Sequence, residues 1–102
     1  RRVLFRSQLI KIQLRFDSAK NARNIQMRGM DFNEATNFDW STALIALDTR
    51  QDYSEQRYQA LGYVDGDVCM LVFTPRGDAI HVISFRRANK RERIRYATQT
   101  QT

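Results

Sequence analysis

One domain's worth of sequence is present: 102 residues with a formal net charge of +6, read as a basic, compact, cytoplasmic domain with a polyanionic partner. A single Cys rules out an internal disulfide, one His beside one Cys cannot build a four-ligand zinc site, and one Pro with four Gly excludes a low-complexity linker. No apolar run approaches the roughly 18 residues that a membrane helix needs, so no membrane partner is expected.

Residues 1–11 read as a basic N-terminal extension, native or appended, that carries no functional weight. Ile12, Leu14 and Phe16 alternate with Gln13 and Arg15, the period of a half-buried strand. Asp17 is an N-cap for a helix through about Arg28, and Gly29 its C-cap. Asp31, with Glu34 three residues later, opens a second short helix ending near Trp40, its apolar face made by Phe32, Ala35 and Phe38. Ala43 to Leu47 reads as a strand, and the charged stretch from Asp48 to Gln56 as a mobile loop. Tyr58, Ala60, Gly62 and Val64 alternate with Arg57, Gln59, Leu61 and Tyr63, a further strand closed by the hairpin dipeptide Asp65-Gly66. Val68 to Thr74 is near-continuously apolar, as in a central strand covered on both faces. Pro75 to Asp78 reads as a turn, Ala79 to Phe85 as a strand, and Arg86 or Arg87 to Tyr96 as a helix, followed by a polar tail at 97–102 expected to fray. The expectation is an α+β domain over 12–96: an N-terminal strand, two helices, an antiparallel sheet of three to four strands, and a C-terminal basic helix.

The charge is unevenly placed. Residues 17–55 are net acidic, whereas Arg86, Arg87, Lys90, Arg91, Arg93 and Arg95 form one basic run around Glu92. This segment follows a strand carrying His81 and Ile83 on one face and Ile80 and Val82 on the other. Glu92 and Tyr96 are four apart, as are Arg87, Arg91 and Arg95. A carboxylate, a phenol, an imidazole and several guanidiniums are competent for RNA cleavage without a cofactor or metal. A base must take the 2′-OH proton, a dianionic phosphorane must be stabilised, and the 5′-oxygen must be protonated. Glu92 or His81 suits proton transfer. Arg86 and Arg93, supported by Arg57, suit phosphate holding, and Tyr96 suits orienting or stacking. Arg87, Lys90, Arg91 and Arg95 extend the RNA-binding surface. Each residue also has a plainer reading: Glu92 as an intrahelical ion pair, His81 as a structural histidine, Tyr96 as packing, Arg57 as a rim charge, Phe32, Phe38 and Trp40 as core. Cys69 reads as a small buried hydrophobe. A module that binds nucleic acid without cutting it is the competing reading.

The order of short motifs resembles the BrnT family of ribonuclease toxins from type II toxin–antitoxin systems. The resemblance rests on Phe16-Asp17, Lys20-Asn21, Asn24, Gly29, Asp31-Phe32-Asn33-Glu34-Ala35, Glu55-Gln56-Arg57, Leu61-Gly62, Leu71 to Thr74, and Ile80 through Arg93 with Tyr96, across about 14–96. It implies a RelE-like fold and metal-independent RNA cleavage that inhibits translation. It implies a BrnA-like, DNA-binding antitoxin as partner, contact with operator DNA only through that antitoxin, and an assembly of heterotetramer size or larger. By the same resemblance the active-site positions are His81, Arg86, Glu92, Arg93 and Tyr96. Two departures stand out. The family's Lys-His-Gly becomes Met27-Arg28-Gly29, and its strand Arg becomes His81, which carries charge only part of the time at neutral pH. A less active toxin, a differently tuned one, or one using His81 as acid or base are the resulting alternatives. A fold that survives after its activity has decayed, with the basic helix receiving an acidic antitoxin segment, is a further one.

Overall fold

The computed structural model describes residues 12–100. In chain order it contains β1 (Gln13–Arg15), α1 (Ser18–Arg28), two 3-10 turns (Phe32–Asn37 and Trp40–Thr42), β2 (Leu44–Leu47), β3 (Tyr58–Val64), β4 (Asp67–Arg76), β5 (Ala79–Arg87) and α2 (Lys90–Thr100). The N-terminal extension expected at 1–11 lies outside the described residues.

The architecture is α+β, but the sheet has five strands in the order β1-β5-β4-β3-β2 and is mixed, not an antiparallel sheet of three to four. β2 to β5 form an antiparallel meander, while β1 joins β5 in parallel, Arg15 opposite His81. The alternation of residues 12–16 predicts a strand but is silent on its partner, which lies 66 residues away in sequence.

Local chemistry accounts for most boundaries. Asp17 caps α1 by accepting the amides of Ala19 and Lys20, and Gly29 ends it at φ 69° in the left-handed region. Asp31 caps the next segment through the Asn33 amide. That segment is a 3-10 turn rather than the expected α-helix. Phe32, Ala35 and Phe38 repeat every three residues, the period of a 3-10 turn, and all three are buried. Asp65 and Gly66, both at positive φ, make the two-residue turn between β3 and β4. Pro75 belongs to β4 rather than to a turn. β3 pairs only as far as Phe73, so at Pro75 there is no β3 neighbour awaiting an N–H, and the turn shrinks to Gly77 and Asp78.

Each face of the sheet carries a core. On one face Phe32, Phe38, Leu71, Phe73, Val82 and Phe85 pack with the 3-10 turns. On the other, α2 lays Tyr96 against Leu61, Met70, Val72 and Ala88. Central β4 is buried on both faces from Cys69 to Thr74, as its apolar run predicts. β3 approaches Phe38 so closely that a Cβ on Gly62 would stand 2.6 Å from the ring, leaving room for glycine alone.

β5 has one irregularity that matters for the site. Val82 opposes Phe73 and Ser84 opposes Val72, so Ile83 is an extra residue, a β-bulge. Strict alternation would place Phe85 on the face of His81 and turn Arg86 into the opposite core. The bulge reverses this: Phe85 is fully buried in the first core, and Arg86 stands opposite Met70 on the α2 face. His81 and Arg86 therefore share a face. Beyond His81, β5 has no β1 neighbour. The buried Asn24 of α1 covers that open edge, donating through Nδ2 to Phe85 O at 2.8 Å and Met30 O at 2.9 Å.

Candidate functional site

The basic run divides between a strand and a helix. Arg86 and Arg87 end β5, and α2 begins only at Lys90. The start of α2 is fixed by a reciprocal capping box. Asn89 Oδ1 accepts the Glu92 amide at 2.8 Å, and Glu92 Oε1 accepts the Asn89 amide at 2.9 Å. The helix then continues past Tyr96, where the sequence pattern ends it, as far as Thr100.

That box aims Glu92 back at the sheet. Arg86 grips it as a fork, Nη1 to Oε1 at 2.8 Å and Nη2 to Oε2 at 2.9 Å. The pair is shielded, with Glu92's side chain 13% exposed and Arg86's 31%. Arg86, followed by the Asn89 amide as the next hydrogen-bond donor, holds the Glu92 carboxyl below the ordinary carboxylate range. Glu92 is thus a committed carboxylate whose partner lies on β5, not within its own helix. Arg93 Nη1 donates to Ala88 O at 2.9 Å, folding its guanidinium back over the same junction. Arg28 reaches Ser84 Oγ at 3.1 Å, bringing a cation from the end of α1 to the same stretch of β5.

Tyr96 is placed differently. It is 3% exposed, its hydroxyl bonds Thr42 Oγ1 at 2.8 Å, and its ring meets Tyr63 edge-on. In this arrangement it holds α2 to the sheet and offers no face to a base. Lys90, Arg91 and Arg95 lie exposed on α2, and Arg87 makes a loose 3.5 Å contact with Asp67 between two largely exposed side chains.

His81 is half-buried, opposite Thr74 on β4 and Arg15 on β1. Burial pushes its imidazole below the usual histidine range, and Arg76 adds to the shift, while Glu55 opposes it. Arg76 is itself forked onto Glu55, at 3.1 and 2.6 Å. The shift favours the neutral imidazole, so His81, set among charged groups, is not a permanent cation. It lies five residues from Arg86 on one strand, roughly 15 Å at strand rise. The expected site residues consequently form two groups on one face: Arg86, Glu92 and Arg93 with Arg28, and His81 with Arg15, Arg76 and Glu55. Arg57 lies in neither and sets its guanidinium 4.1 Å from the centre of the Tyr53 ring.

The loop from Asp48 to Gln56 is irregular, as expected, but organised. Asp48 has a fully buried side chain that accepts Arg50 Nε at 2.8 Å and Nη2 at 2.6 Å. Arg50 holds the Asp48 carboxyl at about 2. The alternation and charge patterns do not reveal this clamp. Its sequence signal is an Asp two residues before an Arg, a spacing that also lets Asp48 accept the Arg50 amide.

Cys69 is buried, and burial raises its thiol to about 11, so it is no nucleophile. Among the described residues no three His, Cys, Asp or Glu side chains are grouped to hold a metal, and no helix is long and apolar enough to cross a membrane.

A family model described as the ribonuclease toxin, BrnT, of type II toxin–antitoxin systems matches residues 16–92. The chain belongs to the BrnT family. The match spans β2 to β5, including the bulged strand, both caps of α1 and the start of α2 up to Glu92, and so takes in His81, Arg86 and Glu92 themselves; β1 lies just before it. This is therefore a member of a ribonuclease toxin family, and membership of a type II system implies a cognate antitoxin as partner. No curated protein matches the sequence.

Proposed function

We propose that this BrnT-family protein is a metal-independent endoribonuclease that cuts single-stranded RNA, messenger RNA in particular, on the α2 side of its sheet. The observation that carries this reading is the bulge at Ile83, which brings the His81 imidazole and a buttressed guanidinium to the same face of one strand. An RNA strand lying along β5 would pass both.

The chemistry follows from what each group can do. His81, in its neutral form, takes the proton of a 2′-OH as that oxygen attacks the neighbouring phosphorus. The 2′-O–P bond forms, the P–O5′ bond breaks, and the 5′-oxygen takes a proton from water. The products are a 2′,3′-cyclic phosphate and a 5′-hydroxyl. Arg15 and Arg76 lie beside His81 to offset charge on the phosphorane. Arg86 holds a flanking phosphate through donors that Glu92 does not occupy, with Arg28 and Arg93 nearby. Glu92 acts as a positioning residue, because both its oxygens are already engaged. Exposed Arg87, Lys90, Arg91 and Arg95 supply salt-sensitive attraction to the RNA backbone. Tyr96 contributes by fixing α2.

On this reading the RelE-like toxin works in the cytoplasm, where RNA cleavage inhibits translation. A BrnA-like antitoxin neutralises it and carries the complex, a heterotetramer or larger, to operator DNA. The test is cleavage of single-stranded RNA in the presence of chelator by wild type, His81→Ala and Arg86→Ala. Wild type is expected to cut, with losses of at least about 100-fold for His81→Ala and about 10-fold for Arg86→Ala. Steep salt-dependent binding with no scission would make the protein a binding module instead.

A further inference from the structure

The loop between β2 and β3 is built more firmly than a linker needs to be. Its neck is closed by the Asp48 amide donating to Arg57 O at 2.7 Å. Inside, the buried Asp48 carboxylate holds Arg50 by Nε and Nη2 and also accepts the Tyr53 hydroxyl at 3.3 Å. The Arg50 side chain remains 64% exposed, so the fork fixes its direction and leaves Nη1 for another acceptor. Tyr53, held by its hydroxyl, carries the Arg57 guanidinium 4.1 Å from its ring centre. These residues line a recess of ≈ 490 Å³ together with Gln51, Asp52 and Gln56, within the size range of small-ligand sites.

Each component has a matching feature in a nucleotide. A guanidinium laid on a phenol ring is a planar platform on which any base can stack. Gln51 and Gln56 offer amide donors and acceptors to a base edge, and Asp52 accepts N–H while repelling a phosphate from the interior. Arg50, at the mouth and rigidly aimed, suits the phosphate that the base carries with it. The loop also reaches the His81 half of the site described above, where Glu55 is forked onto Arg76.

We propose that this recess is a nucleobase subsite, in which one unstacked base of the RNA continues the Tyr53–Arg57 stack while its phosphate rests on Arg50. The proposal rests on the RNA-cleaving reading and names where on the protein that RNA is read.

The experiment is a binding cycle with 2′-O-methyl RNA pentamers, whose 2′ oxygen has no proton to give. Fluorescence anisotropy at fixed salt compares wild type, Tyr53→Phe and Tyr53→Leu, each with the intact pentamer and with pentamers lacking one base in turn. Removing one particular base is expected to weaken wild-type binding about 10-fold, the size of one aromatic stack. Tyr53→Leu is expected to weaken the intact pentamer by the same factor and to be indifferent to that missing base. Tyr53→Phe keeps the ring and is expected to behave as wild type. If wild type binds and cuts RNA but Tyr53→Leu binds as tightly, or still feels the missing base, the subsite is overturned and the cleavage reading stands. If wild type neither binds nor cuts any RNA, both fall.

Discussion

Replacing Glu92 separates its two structural duties from any catalytic one. Glu92→Ala removes the acceptor of the Asn89 amide and the partner of Arg86 together. Loss of the capping acceptor costs about 1 kcal/mol. Loss of the charge-assisted fork adds about 1–2 kcal/mol, at the lower end for such bonds because Arg86 is 31% exposed and regains water. The total of about 2–3 kcal/mol corresponds to a Tm lower by about 10–20 °C in a domain of this size. Glu92→Gln keeps an oxygen for the Asn89 amide but loses the charge and replaces Oε2, the acceptor of Arg86 Nη2, with a donor, so it should cost about 1–2 kcal/mol. The pH dependence has a defined sign. Arg86 depresses the folded carboxyl's pKa, so the stabilisation is fully present above the unfolded value of about 4.3. It is lost as pH falls through the folded value. Thermal melts of wild type and Glu92→Gln should therefore differ by a constant amount at neutral pH and converge below about pH 4. In RNA cleavage Glu92→Gln should keep at least about a tenth of the rate with an unchanged pH profile, as expected of a residue that only positions Arg86. A Glu92→Ala melt equal to wild type would refute the structural reasoning. A loss beyond about 100-fold in Glu92→Gln, together with loss of the acid limb of the profile, would make Glu92 the proton-transfer group.

Gly62→Ala should lower stability by about 1–3 kcal/mol, because the new Cβ meets Phe38 Cζ at 2.6 Å. A thermal melt measures this, and Phe38→Leu in the same chain should recover part of the loss. Lys90→Gln, Arg91→Gln and Arg95→Gln, all at exposed positions, should each reduce the slope of log affinity for single-stranded RNA against log salt by about 0.7. Slopes equal to that of wild type in all three variants would remove α2 from the RNA surface. Arg87→Gln should leave stability within about 0.5 kcal/mol of wild type, since its contact with Asp67 joins two side chains that are each more than 60% exposed.

What the sequence made legible were features set by neighbours along the chain. Asp17 and Gly29 bound α1, Asp65-Gly66 turns the hairpin, and the apolar run of β4 lies in the middle of the sheet. The features that escaped depend on distant partners or on one residue of register. Nothing in residues 12–16 names β5 as their neighbour. The 3-10 turn was encoded by the three-residue spacing of Phe32, Ala35 and Phe38, which a helix reading blurs. Ile83 looks like any strand residue, yet as a bulge it decides whether Arg86 faces the first core or the α2 side of the sheet. The helix start was also readable, as Asn89 three residues before Glu92, but the basic run drew the boundary too early. The Arg86–Glu92 fork, the Tyr96–Thr42 bond and the Asp48 clamp are contacts between elements or within an irregular loop, where no periodicity reports on them.

On the proposed reading His81, whose neutral form burial and Arg76 favour, takes the 2′-OH proton. The direct measurement is the pH dependence of RNA cleavage in chelator, set beside the His81 pKa from NMR titration of its imidazole. The rate should rise with pH through a midpoint below the ordinary histidine value of about 6.5 and level off by neutral pH. That midpoint should coincide with the NMR value, and the limb should vanish in His81→Ala. A rate that is flat between about pH 5 and 8, or His81→Ala cutting RNA with the wild-type profile, would remove His81 as the base.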